Sequence, residues 1–191
     1  SLPLQSVSEL IAYAKKNPKS LAYASAGNGG GTHLSAELFN MLAGTTLNHI
    51  PYKGSAPAMT DVLGGQVPLM FSDAPTALPF IRNGKVKALA VASTQRYSLL
   101  PDLPTMAESG LPGYEAYSWA AVVAPAGTPK DIVNQVSKDI VKVLSLAETR
   151  QRFQDAGADP FPTTPEGFAK ILRSEIEKWQ RVVKAANIQA D

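Results

Sequence analysis

Three short groups of residues hold most of the chemical capacity of this chain. They are Ser25, Ala26, Gly27, Asn28, Gly29, Thr32 and His33; then Lys53, Gly54 and Ser55; then Asp73 with Ala74. The first group sits in Ala24-Ser25-Ala26-Gly27-Asn28-Gly29-Gly30-Gly31-Thr32-His33, a glycine-rich turn between a predicted strand and a predicted helix. Glycines let the backbone approach a ligand closely, and the first N–H groups of the following helix point at whatever sits there. Unpaired N–H donors and the helix dipole both favour an anion. No Lys follows the glycines, so the turn is not a P-loop. Thr32 stands at the sixth position from Gly27, where a dinucleotide-binding loop needs Gly or Ala. Tyr23 stands where a nucleophile elbow around Ser25 would need its first glycine. From the turn alone, a glycine loop with no ligand is the competing reading.

The sharpest enzymatic reading is a small hydrolase using Ser25, His33 and Asp73, since a nucleophilic Ser needs a base within reach. No nucleophile motif supports it. Asp73 follows the apolar run Pro68-Leu69-Met70-Phe71, where a carboxylate can cap the next helix or accept a proton from a ligand's ammonium or hydroxyl group. Lys53 is the only basic side chain between Lys19 and Arg82, and its place at a strand end suits a carboxylate partner. Ser55 offers a hydroxyl beside the free amides of a helix start. His33 and His49, the only two histidines, are predicted on different elements, which argues against a zinc site. No cofactor motif is present, and the lack of cysteine removes disulfide and thiol chemistry.

These groups need elements to hold them. Ser6-Val7-Ser8-Glu9 has capping-box spacing and predicts a helix over Val7–Lys16, ended before Pro18. A strand over 21–23 leads into the glycine turn, and a helix over 34–42 stops at Gly44. A strand over 48–52 is followed by a helix over 56–63, with Met59, Val62 and Leu63 inward. A strand over 67–71 precedes a helix over 76–82, and a fourth strand is predicted over 87–92. This strand–turn–helix repeat with short connections is the pattern of a parallel sheet covered by helices, whose ligands bind off the strands' carboxyl ends. Residues 94–114 are irregular, with Pro101, Pro104 and Pro112 as punctuation. A long strand is predicted over 117–124. Thr128 and Pro129 then read as N-cap and first residue of a helix, followed by helices over 147–155 and from Thr164 onward. In the last, Phe168, Ile171, Leu172, Trp179, Val182 and Val183 form a stripe that reads as core.

The 191 residues suffice for one sizeable core, or one domain plus an appendage. Hydrophobic residues make up 45% and charged ones 18%, with a net charge of +2 and no basic block. Nucleic acid is therefore not an expected partner. No apolar run approaches the ~20 residues of a membrane span, and the first residues carry no signal-peptide pattern.

Several segments in order are similar to one known family. Ser25-Ala26-Gly27-Asn28-Gly29 with Thr32-His33-Leu34, Glu37-Leu38-Phe39, His49-Ile50-Pro51-Tyr52-Lys53-Gly54-Ser55-Ala56-Pro57-Ala58, and Leu63-Gly64-Gly65-Gln66-Val67 with Phe71 resemble the Bug-type extracytoplasmic solute-binding proteins of tripartite tricarboxylate transporters. So do Gly84-Lys85-Val86-Lys87-Ala88-Leu89-Ala90-Val91, Leu103-Pro104-Thr105-Met106-Ala107-Glu108-Ser109-Gly110, Ala124-Pro125-Ala126-Gly127-Thr128-Pro129, and Thr164-Pro165-Glu166 with Phe168, Glu175, Trp179, Val182 and Val183.

The resemblance implies an α/β type II periplasmic-binding-protein lobe with a mostly parallel sheet flanked by helices, plus a helical C-terminal segment. It implies a second lobe over 1–113, a crossover strand over 114–127, and a segment over 128–191 that returns to a first lobe. Family members carry a signal peptide and that first lobe ahead of this region; without it, the helices after Thr128 lack their packing partner and their apolar faces invite self-association. The implied function is non-enzymatic capture of a small carboxylate in the periplasm for membrane transporter subunits, with a solute-sensing receptor as a rival. Ser25, Asn28 and Thr32 would supply polar and amide contacts, and Asp73 would read the ligand's other end. With Lys53 the single cation near the turns, one ligand carboxylate per lobe is expected.

Overall fold

The computed structural model describes residues 2–189 and divides the chain into two units: the residues up to Ser118 together with those from Arg181 onward, and Trp119–Gln180. The element order of the first unit begins with helix α1 (Val7–Lys16), strand β1 (Ala22–Ser25), helix α2 (Gly31–Ala43), strand β2 (Asn48–Pro51), helix α3 (Ser55–Leu63), strand β3 (Leu69–Met70) and helix α4 (Ala74–Arg82). The second unit holds α5 (Lys130–Ser145), α6 (Ala147–Asp155) and most of α7 (Pro165–Ala186). No helix among the described residues is long and apolar enough to cross a membrane.

Local chemistry sets the helix ends. The Ser6 hydroxyl accepts the Glu9 N–H at 3.2 Å, and the Glu9 carboxylate takes the Gln5 N–H at 2.7 Å, so the capping box closes one residue further back than the usual pattern. Val7, Leu10 and Ala14 share one buried face of α1. α2 ends at Gly44 in the left-handed conformation, its N–H on the Asn40 carbonyl. α4 is capped by Asp73, with Pro75 in its first turn.

The sheet is parallel with strand order β2-β1-β3. β1 is central, which is why it is the most buried strand: Tyr23, Ala24 and Ser25 are all inaccessible. Alternation splits its side chains between two faces. On one, Ala24 packs with Ala58 and Val67, and Ala22, Ile50, Tyr52, Val62 and Met70 surround them. On the other, Tyr23 meets Phe71 edge-on at 5.8 Å, and Phe71 meets the buried Phe39 of α2 at 5.7 Å. Within α3, Met59 is buried as expected but Leu63 is exposed.

Two expected strands do not form. In 87–92 the pairing reduces to one parallel bridge, Val91 with Thr105. Val91 donates to the Pro104 carbonyl and accepts from Met106, both at 2.9 Å. Pro104 has no N–H to extend the ladder, and the prolines around it keep the partner from running straight. Residues 117–124 form no strand either, with Val122 and Val123 75% and 80% exposed. An apolar, β-branched run becomes a strand only where a neighbouring edge accepts its hydrogen bonds.

Within the second unit α5 begins at Lys130, with Pro129 as its cap; Thr128 instead turns its hydroxyl back to the Pro125 carbonyl at 2.9 Å. No α5 residue is buried, and Ile132, Val136 and Val143 are each about half exposed. In the same unit Glu175 is buried and accepts from Trp179 Nε1 at 2.9 Å, Trp119 Nε1 at 3.4 Å and Lys178 Nζ. Trp119 packs edge-on against Phe168 at 5.4 Å. Burial alone would raise the Glu175 pKa, but these donors outweigh it and hold it below the usual range. Near the end of α7, Val182 is buried in the first unit.

Candidate functional site

Parallel strands point the same way, so the turns after β1, β2 and β3 emerge along one edge of the sheet. Backbone bonds tie the first two together: Tyr52 N donates to Ser25 O at 3.1 Å, and Gly54 N to Ala26 O at 2.9 Å. Gly27 lies beneath this junction with φ of +145°, and a β-carbon there would stand 3.4 Å from the Tyr52 carbonyl oxygen. Within the turn, Ala26 N donates to Thr32 Oγ1 at 2.8 Å and Gly30 N to Gly27 O at 3.4 Å. The third turn joins the second through Ser55, whose hydroxyl donates to Asp73 Oδ2 at 2.6 Å, while Asp73 Oδ1 accepts the Thr76 N–H at 3.0 Å.

Three helices therefore start at this edge. α4 begins at Ala74 under the Asp73 carboxylate. α2 and α3 begin after Gly30 and Gly54, which carry no side-chain cap. The first N–H groups of a helix have no intrahelical acceptor, and without a capping side chain they remain available to an anion. Burial raises the Asp73 pKa, but the bonds from Ser55 and Thr76 prevail and lower it, so Asp73 is anionic at neutral pH.

Below the first turn lies a polar and aromatic stack that sequence reasoning did not assemble. Register places Tyr23 of β1 opposite His49 of β2, and their rings stack at 5.0 Å. His49 in turn stacks on His33 of α2 at 3.8 Å and 13°. His49 Nε2 lies 2.6 Å from Ser25 Oγ. His33 Nδ1 accepts the Gly29 N–H at 3.0 Å, and its Nε2 faces Glu37 Oε1 at 3.9 Å. The same Glu37 oxygen accepts from the Tyr23 hydroxyl at 2.8 Å and from Asn40 Nδ2 at 3.2 Å. Burial lowers the His49 pKa to about 4, with a smaller contribution from neighbouring His33. Burial also lowers that of His33, against the opposing pull of Glu37. Tyr23 is raised by burial and by Glu37. Both imidazoles are neutral at pH 7.

This geometry redistributes the predicted roles. The Ser25/His33/Asp73 arrangement is not built: the imidazole beside Ser25 belongs to His49, His33 serves Gly29, and Asp73 serves Ser55 and Thr76. Ser25 is fully buried and His33 nearly so, and both support the turn from beneath. Thr32 spends its hydroxyl on Ala26, and the Asn28 side chain donates to the Gln189 carbonyl at 2.7 Å. Ala26, Gly27, Gly29, Gly54, Ser55, Asp73 and Ala74 are partly accessible along the edge, and Lys53 is exposed. Among the described residues, no group of three or more His, Asp or Glu is placed to hold a metal ion. Two signals pointed to the stack: Glu37 lies one helical turn beyond His33, and Tyr23 and Ser25 alternate on one strand face.

Comparison with known proteins places this geometry in context. Residues 1–188 match the model of the tripartite tricarboxylate transporter family receptor, TctC. The chain is 39% identical over 183 residues to the protein BugT of Bordetella pertussis, covering 96% of this chain and 56% of BugT. Among solved structures it is similar to R. palustris Rpa4515 with adipate, at 38% identity and a TM-score of 0.85, covering 98% of this chain and 63% of that one. It is similar as well to MatC from Rhodopseudomonas palustris with bound malate, at 34% identity and a TM-score of 0.77, covering 95% and 63%. The chain thus spans about half the length of BugT and under two thirds of either solved chain.

Proposed function

The chain belongs to the tripartite tricarboxylate transporter receptor family, and from that premise we propose that it forms the carboxylate-binding part of a periplasmic solute receptor. The observation that carries the proposal is the convergence of three helix starts on one sheet edge, those of α2 and α3 without a side-chain cap. Related proteins hold adipate and malate. Backbone N–H groups that open α2 at Gly31 and Thr32, and those that open α3 at Ser55 and Ala56, would take one carboxylate. Asp73, anionic and beside Ser55, disfavours a second carboxylate at the α4 start and favours a ligand with a hydroxyl or ammonium donor there. Lys53 would add long-range attraction. The loaded form would be what membrane transporter subunits recognise. The role is non-catalytic, because Ser25, whose hydroxyl meets an imidazole, is buried beneath the turn.

Calorimetric titration with adipate, with malate and with 1,6-hexanediol at low salt tests this reading. The two dicarboxylates should bind and weaken as salt rises, and the diol should not bind. Binding of the diol as tightly as adipate, or no binding of any carboxylate, would overturn it. Turnover of a p-nitrophenyl ester that disappears in Ser25→Ala would overturn the non-catalytic assignment.

A further inference from the structure

We propose that His33 is a positioning residue for the glycine turn: its Nδ1 holds the Gly29 N–H, and the turn keeps its binding form only while that nitrogen is unprotonated. The consequence for ligand affinity rests on the carboxylate reading above; the anchoring itself does not.

The geometry fixes the tautomer. Gly29 N is a donor, so Nδ1, 3.0 Å away, must present its lone pair, which leaves the ring proton on Nε2 facing Glu37. A proton on Nδ1 would set two donors against each other and release Gly29, the centre of the turn between Gly27 and the α2 start. The other groups around the ring decide how readily that happens. From its own helix, Glu37 attracts a proton, but its near oxygen already accepts from Tyr23 and Asn40. From β1, Tyr23 lies 6.5 Å away and is neutral. From β2, His49 stacks face to face at 3.8 Å and would repel a second cation. Ser25 completes the set by holding His49 at 2.6 Å. Burial adds to the case, since it lowers the affinity of His33 for a proton. The stack thus keeps His33 neutral under ordinary conditions and lets acid loosen the turn.

The substitutions His33→Asn and His33→Leu separate anchoring from packing. The Oδ1 of an introduced asparagine can accept from Gly29 where Nδ1 did and does not titrate, whereas leucine fills space with no acceptor. In ligand-free protein, nitrogen-resolved NMR follows the Gly29 amide and the His33 ring from pH 8 to pH 4. The Gly29 resonance should move with the ring's midpoint in the wild type and stay flat in His33→Asn. Adipate affinity is then measured as the ratio of wild type to His33→Asn, which cancels titration of the ligand itself. One pH unit below the midpoint, with about a tenth of the molecules still anchored, that ratio should fall about tenfold. His33→Leu should bind weakly at every pH. A Gly29 amide blind to the ring's titration, a ratio that is flat with pH, or wild-type affinity in His33→Leu would each overturn the proposal. If Gly29 follows the ring but neither adipate nor malate binds any variant, the carboxylate reading fails and the anchor stands. Should His33→Leu not fold, the comparison with His33→Asn decides.

Discussion

Acid should destabilise this fold through His49. In the folded state His49 takes up a proton only near pH 4, against 6.5 for a free imidazole. Between those values the unfolded chain binds more protons than the folded one, so stability rises with pH across the window and is lost as pH falls through it. At pH 5 the difference amounts to ~2 kcal/mol for a fully shielded ring. His49 keeps part of its surface exposed, and solvent screening brings the expected loss to about 1 kcal/mol. His49→Gln removes the titration while keeping polar atoms near Ser25. Urea unfolding followed by circular dichroism at pH 7.5 and pH 5.0, on wild type and variant, isolates the effect. The wild type should lose more stability than the variant by that amount. The carboxylates are common to both proteins and largely cancel, and carrying His33→Asn in both backgrounds removes the coupled titration of the stacked ring. Equal losses would refute the reasoning, because they would mean that His49 titrates in the fold as it does in water.

Two further outcomes follow from the turns. Asp73→Ala removes the α4 cap and the acceptor for Ser55, and should cost roughly 1 kcal/mol at pH 7 by urea unfolding. Because the Asp73 pKa is lowered, its contribution is present above the ordinary carboxylate range and lost as pH falls below it, so wild type and variant should converge in acid. Gly27→Ala should be less stable by about 1–3 kcal/mol, since φ of +145° is a region side-chain-bearing residues rarely adopt. Thermal unfolding would show it, and an unchanged midpoint would mean that the turn relaxes freely.

The family and the α/β plan were legible because their signals are local. A hydroxyl three residues before a Glu marks the start of α1, an Asp before Ala-Pro marks α4, and a glycine ends α2; each bond joins residues at most four apart. Glycine turns between short apolar runs and helical spacing located the edge where the site lies. The strands at 87–92 and 117–124 were misread because a run of β-branched and aromatic residues says only that it could pair. Whether an edge is there to receive it depends on chain far away.

The same distinction holds within the site. Sequence determined which residues stand in the three turns and that the helix starts there would favour an anion. Only the folded chain decided that Ser25 meets His49 rather than His33, that Ser55 reaches Asp73, and that the two histidines stack. His33 and His49 lie on a helix and on a neighbouring strand, joined because parallel register sets Tyr23 opposite His49 while α2 packs over both. A side chain's hydrogen-bond partner is set by the register and packing of elements distant in sequence, and neither is written in the residues themselves.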